Sequence, residues 1–363
     1  MTILKKLFVK FTILFGLAIL IYIFGSFPNL VETYYSTVIY PFISVALRFF
    51  SSLFPFAIGD VVYGVLIAFI LHHIVRFFQK LRRKQFKKSD RVIIPLKVFN
   101  FLLILYIAFK LVWGLNYTRV SVSKTLGIGD EKYNVKELVL LGNYLINQTN
   151  ILKAKVDSLG KTAPLSIKDL QKESAGAYQF MAKKNEVFKY PQPCLKKVLF
   201  PWAVSKAGIE GYYAPLTGEA NLNYNLPEFV KPYVSCHEIA HQLGIAYEDE
   251  ANLLGYLAAI NSKDVRYKYS ANYEMLRYVL IEIALKSPED YNALHDKLSA
   301  GVLADFKTEK EFWAKYNGAM FGYLDAAFDG FLKANNQAKG IDSYQDIVIW
   351  LWNIHKGGLH VVS

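Results

Sequence analysis

The sequence predicts an α+β protein in two parts: three N-terminal membrane-crossing helices over residues 1–116, then a mostly helical exported domain with a small β-sheet over 117–363. Three observations predict it. Apolar stretches long enough to cross a hydrocarbon core of about 30 Å, at about 1.5 Å per residue, lie before residue 117. The net charge of +12 is lopsided, because the first part carries acids only at Glu32, Asp60 and Asp90 against many Lys and Arg, while the second part is nearly balanced. Beyond residue 117 the apolar period is mostly helical, and runs rich in β-branched and aromatic residues are confined to the middle. With 363 residues, 53% of them hydrophobic, the chain is neither disordered nor a disulfide scaffold. Its basic excess lies among apolar runs, as in membrane proteins, so nucleic acid is not an expected partner.

The expected spans are about 7–27, 54–75 and 97–116. Lys5 and Lys6 precede the first, whose apolar run exceeds a signal-peptide core and meets no small-x-small cleavage site before Pro28, so it is expected to be a retained anchor. The loop 76–96 holds Arg76, Lys80, Arg82, Arg83, Lys84, Lys87, Lys88 and Arg91 against the single acid Asp90, and short loops this basic stay in the cytoplasm. Lys5, Lys6 and Lys10 share that side if two crossings lie between, and a third crossing places Asn116 to Ser363 outside. Residues 39–53 are the ambiguous stretch. Pro41, Arg48, Ser51 and Ser52 favour an interfacial helix with Tyr34, Tyr35 and Tyr40 at headgroup depth, and a crossing there would change the parity of the whole topology. Asp60, His72, His73 and Lys110 lie near span ends, where snorkelling accounts for them better than an ion path. Cys194 and Cys236 both fall in the exported part, where a disulfide is permitted but not established.

In that part Asn134 caps a helix expected through Leu152, and Ser166 with Asp169 opens another ending near Lys184. Further helices are expected at 273–285, 288–298, 309–332 and 344–355. Strand character is expected at 197–204 and 211–223, as in a short hairpin or sheet edge, followed by a turn over 226–232 and a helix from near Val234.

That helix carries Ser235-Cys236-His237-Glu238-Ile239-Ala240-His241-Gln242-Leu243-Gly244. His-Glu-x-x-His sets both imidazoles one turn apart on one face, where two ring nitrogens can converge on one zinc ion (Zn2+) at about 2.1 Å, and Glu238 is placed to take a proton from a bound water. The pattern arises by chance in roughly one shuffled chain of this composition in 200, which makes it fairly specific. Gly244 ends the helix and lets the chain return. The return segment, Tyr247-Glu248-Asp249-Glu250-Ala251-Asn252, offers three carboxylates before an apolar helix over 251–260. Upstream, 211–223 stands where zinc proteases keep the edge strand that pairs with an extended peptide. Cys236 is expected to pack, since neighbouring helix positions point about 100° apart. Tyr212, Tyr213, Tyr273, Arg277 and His295 are candidate oxyanion stabilisers that no spacing rule separates, and Glu219 could contact substrate or simply face solvent.

His237-Glu-x-x-His241 followed by Glu248-Asp-Glu-Ala251-Asn252 resembles the gluzincin metallopeptidases. The whole layout, with three spans and a Trp113-Gly-Leu-Asn-Tyr117 exit, is similar to the domain-of-unknown-function 3810 family of bacterial membrane proteins. The resemblance implies a zincin-like, α+β catalytic domain facing the periplasm or exterior of the inner membrane. It implies His237, His241 and Glu248 as zinc ligands, Glu238 as the base and Asn252 as a partner of a ligand histidine. Asn252 stands where the motif usually has Asp, and the spacing from His241 to Glu248 is short, so Glu250 competes as third ligand. The expected function is a membrane-anchored zinc peptidase with a peptide or protein substrate. Its rivals are a non-catalytic metal-binding or assembly protein and a transporter subunit.

Overall fold

The computed structural model describes residues 3–160, 163–316 and 346–359. Four N-terminal helices are long and apolar enough to cross a membrane by length and composition: α1 (Ile3–Gly25), α2 (Pro28–Ser52), α3 (Ile58–Arg82) and α4 (Asp90–Val112). In α3 none of the apolar stretch is buried by the rest of the protein, against 11% in α1 and 17% in α4. An apolar surface of this length, uncovered by protein, is consistent with contact with a membrane.

Helix α2 differs from the interfacial segment expected at 39–53. It starts eleven residues earlier, at Pro28, and includes a π-helical stretch, Val31–Ile39. One face is polar and buried. Ser36 donates to Asn116 Oδ1 (2.9 Å), Ser44 to the Gln242 carbonyl (2.8 Å) and Ser51 to the Thr217 carbonyl (2.6 Å). Arg48 is buried with its guanidinium over the Tyr190 ring.

Among the described residues, the longer helices that follow are α5 (Val135–Ser158), α6 (Ile167–Ala182), α7 (Lys231–Gln242), α8 (Glu248–Ile260), α9 (Val265–Lys286), α10 (Pro288–His295), α11 (Ala300–Ala314) and α12 (Asp346–Leu359). Asn134 and Ser166 cap α5 and α6 through reciprocal capping boxes with Glu137 and Asp169, as their spacing predicts. Helix α9 begins eight residues before the expected Tyr273, at a start capped by Asp264. Where a helix is expected over 309–332, α11 instead begins at Ala300, capped by Ser299, and ends at Ala314, and the expected stretch from residue 317 on lies outside the described residues.

Among the described residues the sheet has three strands in the order β1-β3-β2: β1 (Leu195–Lys197), β2 (Gly211–Ala214) and β3 (Glu219–Leu222), with β1 parallel and β2 antiparallel to β3. Only the first residue of the strand expected over 197–204 is extended in the sheet. Pro201 then opens a short helix, Pro201–Lys206, because its fixed φ suits a first turn and its missing N–H leaves no ladder bond. The stretch 211–223 is a hairpin whose turn closes at Gly218.

One hydrophobic cluster draws its buried residues from Val122 to Trp352. A second joins Ala18, Ile21, Val31, Tyr35, Tyr40, Ile107, Trp113 and Tyr117 to Ala246, immediately before α8.

Helix α12 seals the first cluster against α5 and α8. His355 on it meets Tyr256 Oη (2.8 Å) and packs against Tyr144 with the ring centroids 4.8 Å apart. Burial pushes its pKa down from 6.5 to about 4. The folded value lies below the unfolded one, so this contribution is complete above pH 6.5 and is lost as the pH falls toward 4. Local opening of α12, read by amide hydrogen exchange, should become easier by about 3 kcal/mol across that window in the wild type and not in His355→Gln. Parallel pH dependences would show that His355 is not held neutral.

Candidate metal centre

Helix α7 is buried along almost its whole length. Pro232 lies in its first turn, Tyr178 Oη donates to the Cys236 carbonyl (2.7 Å), and the Gln242 amide donates to the carbonyls of Cys194 and Gly218. A helix enclosed this way holds its side chains in fixed directions, and the four-residue spacing brings His237 and His241 onto one face. Their Nε2 atoms lie 3.2 Å apart. His241 Nδ1–H donates to the Ile245 carbonyl (2.7 Å), which turns the Nε2 lone pair toward His237.

Gly244, at φ +82°, ends the helix in a conformation that residues with a Cβ rarely adopt. Three residues on, α8 opens at Glu248, whose Oε2 stands 3.3 Å from His237 Nε2 and 3.6 Å from His241 Nε2. The two helices cross so closely at Gly255 that a Cβ there would lie 3.0 Å from the His237 backbone nitrogen. Among the described residues, His237, His241 and Glu248 are the one group of three His, Cys, Asp or Glu whose ligand atoms all lie within 4.8 Å of one another. The group is partly buried and can hold a metal ion.

Its electrostatics favour a positive charge at the centre. Burial pushes Glu248 up, but the His241 charge and hydrogen bonds to both imidazoles outweigh it and hold the carboxyl well below its usual range. Burial lowers His241, yet Glu248 more than compensates and raises it to about 9. Burial keeps His237 below its ordinary value despite Glu248. Glu238, 3% exposed, is pushed up to about 8 chiefly by burial, and its Oε2 has no hydrogen-bond partner.

Glu250, the competing ligand, points elsewhere. It is buried and accepts from the Val122 N–H (3.0 Å). Asn252 is buried beside His237, accepts from Tyr233 Oη (2.8 Å) and faces the Tyr278 hydroxyl. Cys236 is a fully buried free thiol, and Cys194 is free as well.

The five oxyanion candidates have varied partners. Tyr273 donates to Glu309 (2.5 Å), and Arg277 pairs with Glu274 (2.9 Å) and Glu309 (2.8 Å). Tyr212 donates to Asp60, Tyr213 stands 5.3 Å from Trp113 ring to ring, and His295 stacks near Tyr291 at the end of α10. Glu219 faces neither solvent nor the metal cluster. It is buried and accepts from the N–H groups of Ile58 (3.0 Å) and Gly59 (2.6 Å) at the start of α3.

The carbonyls ending α7 reveal residues that sequence reasoning missed. The His241 carbonyl accepts from Trp113 Nε1 (3.2 Å), and that of Gln242 from Tyr40 (3.0 Å) and Ser44. The Gly244 carbonyl accepts from Arg119 (3.1 Å), itself paired with Glu32 (2.8 Å). These groups would otherwise be buried without partners, and the residues around the span ends supply them. The available signal was the run Ser36, Tyr40, Ser44, Arg48, Ser51, a polar stripe at near-helical spacing in an apolar segment.

The model of one family, described as a protein of unknown function (DUF3810), matches residues 35–352. The chain belongs to that family. The matched DUF3810 segment includes Tyr40, Trp113 and Arg119 together with the histidines and Glu248, so the family unit spans both the helix-end contacts and the metal cluster. No curated protein and no solved structure matches the chain.

Proposed function

We propose that this DUF3810 protein is a membrane-anchored zinc peptidase that hydrolyses peptide bonds outside the cytoplasm, in the bacterial inner membrane. The observation that carries the reading is the convergence of His237, His241 and Glu248 beside a buried Glu238, between the two histidines in sequence, whose Oε2 has no hydrogen-bond partner among the described residues. Two ligands of a tetrahedral zinc, each about 2.1 Å from the ion, stand about 3.4 Å apart, close to the 3.2, 3.3 and 3.6 Å edges of this triangle. Two imidazole nitrogens and one carboxylate oxygen, leaving a position open, are the donor set of a catalytic zinc site. When bound there, zinc supplies Lewis acidity that brings water ionisation and carbonyl polarisation within reach near neutral pH. Glu238 takes the proton from the attacking water and passes it to the leaving amine. Among the described residues strand β2 pairs only with β3, and its other edge is suited to pairing with an extended peptide.

Three crossings, by α1, α3 and α4, remain the reading for the membrane part, with residues 117–363 as the exported domain. Helix α2 supports it, because its polar stripe bonds to the domain carrying the cluster, and a helix lying along that domain does not also cross the bilayer. The basic loop then lies at the far ends of α3 and α4 from the cluster, on the cytoplasmic side.

Full-length protein purified in detergent should contain one zinc per chain by mass spectrometry and hydrolyse an unfolded polypeptide in a chelator-sensitive manner. His237→Ala should lose at least about nine-tenths of the metal. Metal retained with no hydrolysis of any peptide library would instead favour a metal-binding or assembly protein.

A further inference from the structure

The position of the metal cluster relative to the membrane helices identifies a class of substrate. Resting on the peptidase reading, we infer that the protein cleaves polypeptides held at the bilayer surface, at an extended segment within a few residues of the substrate's own membrane anchor.

The ends of α4 and α3 meet the framework of the site, and α1 ends against the turn that follows α4. Helix α4 ends at Val112, and the next residue, Trp113, donates to the His241 carbonyl with its ring 6.3 Å from the His241 ring. Helix α3 begins on the Glu219 carboxylate of β3. Helix α1 ends at Gly25, where a Cβ would lie 3.3 Å from Leu115. A ligand histidine therefore lies one side chain beyond the last residue of a span. The headgroup layer on each side of a bilayer is about 5–7 Å thick, so the cluster sits at its depth.

The edge strand is held at the same level. Tyr212 donates to Asp60 in the first turn of α3, and Tyr213 packs on Trp113 with its hydroxyl 3.3 Å from that of Tyr40. At the start of β2, Gly211 lies against the base, since a Cβ there would be 2.6 Å from Glu238 Oε1. A peptide pairing with β2 would run past Glu238 along the ends of the spans.

Apolar surface at that level points the same way. The Leu199 N–H donates to Asp60 (2.7 Å), which places the entry to the Pro201–Lys206 helix beside the start of α3. In and near it Phe200 is 67% and Trp202 64% exposed, and on α2 Phe42, Phe49 and Phe50 are exposed too. Exposed aromatic side chains beside the ends of membrane spans belong in the interfacial layer, where Trp in particular is favoured. The domain is thus sunk into the headgroups around its own substrate edge. A soluble chain must bring its scissile bond down into that layer, whereas a chain emerging from the bilayer already passes through it.

The test uses the full-length wild type and Glu238→Gln in proteoliposomes with zinc. One unfolded cleavage sequence is presented about 5 residues from a transmembrane anchor, about 40 residues from the same anchor, or free in solution. Both anchored forms share the same surface density, so the comparison between them isolates depth from simple tethering. Expected is at least about tenfold faster cleavage at the short spacing than at the long one, and slower cleavage still of the free peptide. Equal rates, or preference for the long tether or the free peptide, overturn the inference and leave the peptidase reading intact. Absence of Glu238-dependent cleavage in all three forms overturns both.

Discussion

Replacing Glu238 by Gln is expected to leave the metal in place and to lower hydrolysis by about 10²–10⁴-fold, the usual cost of losing a positioned general base. The side chain keeps its shape but can no longer accept the proton that water must lose. Folding should not suffer, because Glu238 is 3% exposed, burial already pushes its pKa up to about 8, and its Oε2 has no hydrogen-bond partner. A neutral amide at that position avoids the cost of desolvating a charge. The check is metal content beside kcat/KM on one preparation. Full zinc with near-normal turnover would refute the role given to Glu238, and loss of zinc would mean that the carboxylate helps hold the ion.

The second large effect separates the two nearby carboxylates. Glu248→Ala should release metal at chelator concentrations that leave Glu250→Ala loaded, and its affinity loss should exceed the roughly 10–100-fold typical of a partner outside the coordination sphere. Residues two apart on a helix point about 200° apart around its axis, so the two side chains cannot serve one ion. Glu248 Oε2 stands 3.3 and 3.6 Å from the two histidine nitrogens, whereas Glu250 accepts from the Val122 N–H at 3.0 Å. Removing Glu250 should instead cost about 1–3 kcal/mol of stability, because a buried backbone donor loses its acceptor. A chelator titration followed by thermal melting reads both effects. The reverse order of metal release would move the third ligand to Glu250.

The parts of this protein that were legible in its sequence are those set by local chemistry. The apolar runs behind α1, α3 and α4, the caps at Asn134 and Ser166, and the paired histidines on α7 each follow from composition or spacing within one element. Local propensity misled where two rules competed. At 197–204 the β-branched and aromatic residues suggested a strand, but Pro201 started a helix, and at 309–332 the apolar period did not disclose the cap at Ser299.

By itself the sequence determined that a helix would present His237 and His241 one turn apart, because 3.6 residues per turn is a property of the backbone and needs no partner. It could not determine that Trp113, Tyr40, Ser44 and Arg119 would bind the carbonyls of His241, Gln242 and Gly244, over separations of 125 to 202 residues along the chain. Nor could it turn Glu250 onto Val122 and leave Glu248 facing the histidines. Those outcomes depend on which buried donors and acceptors meet when separate elements pack. No local period encodes that, and only the assembled tertiary structure satisfies it.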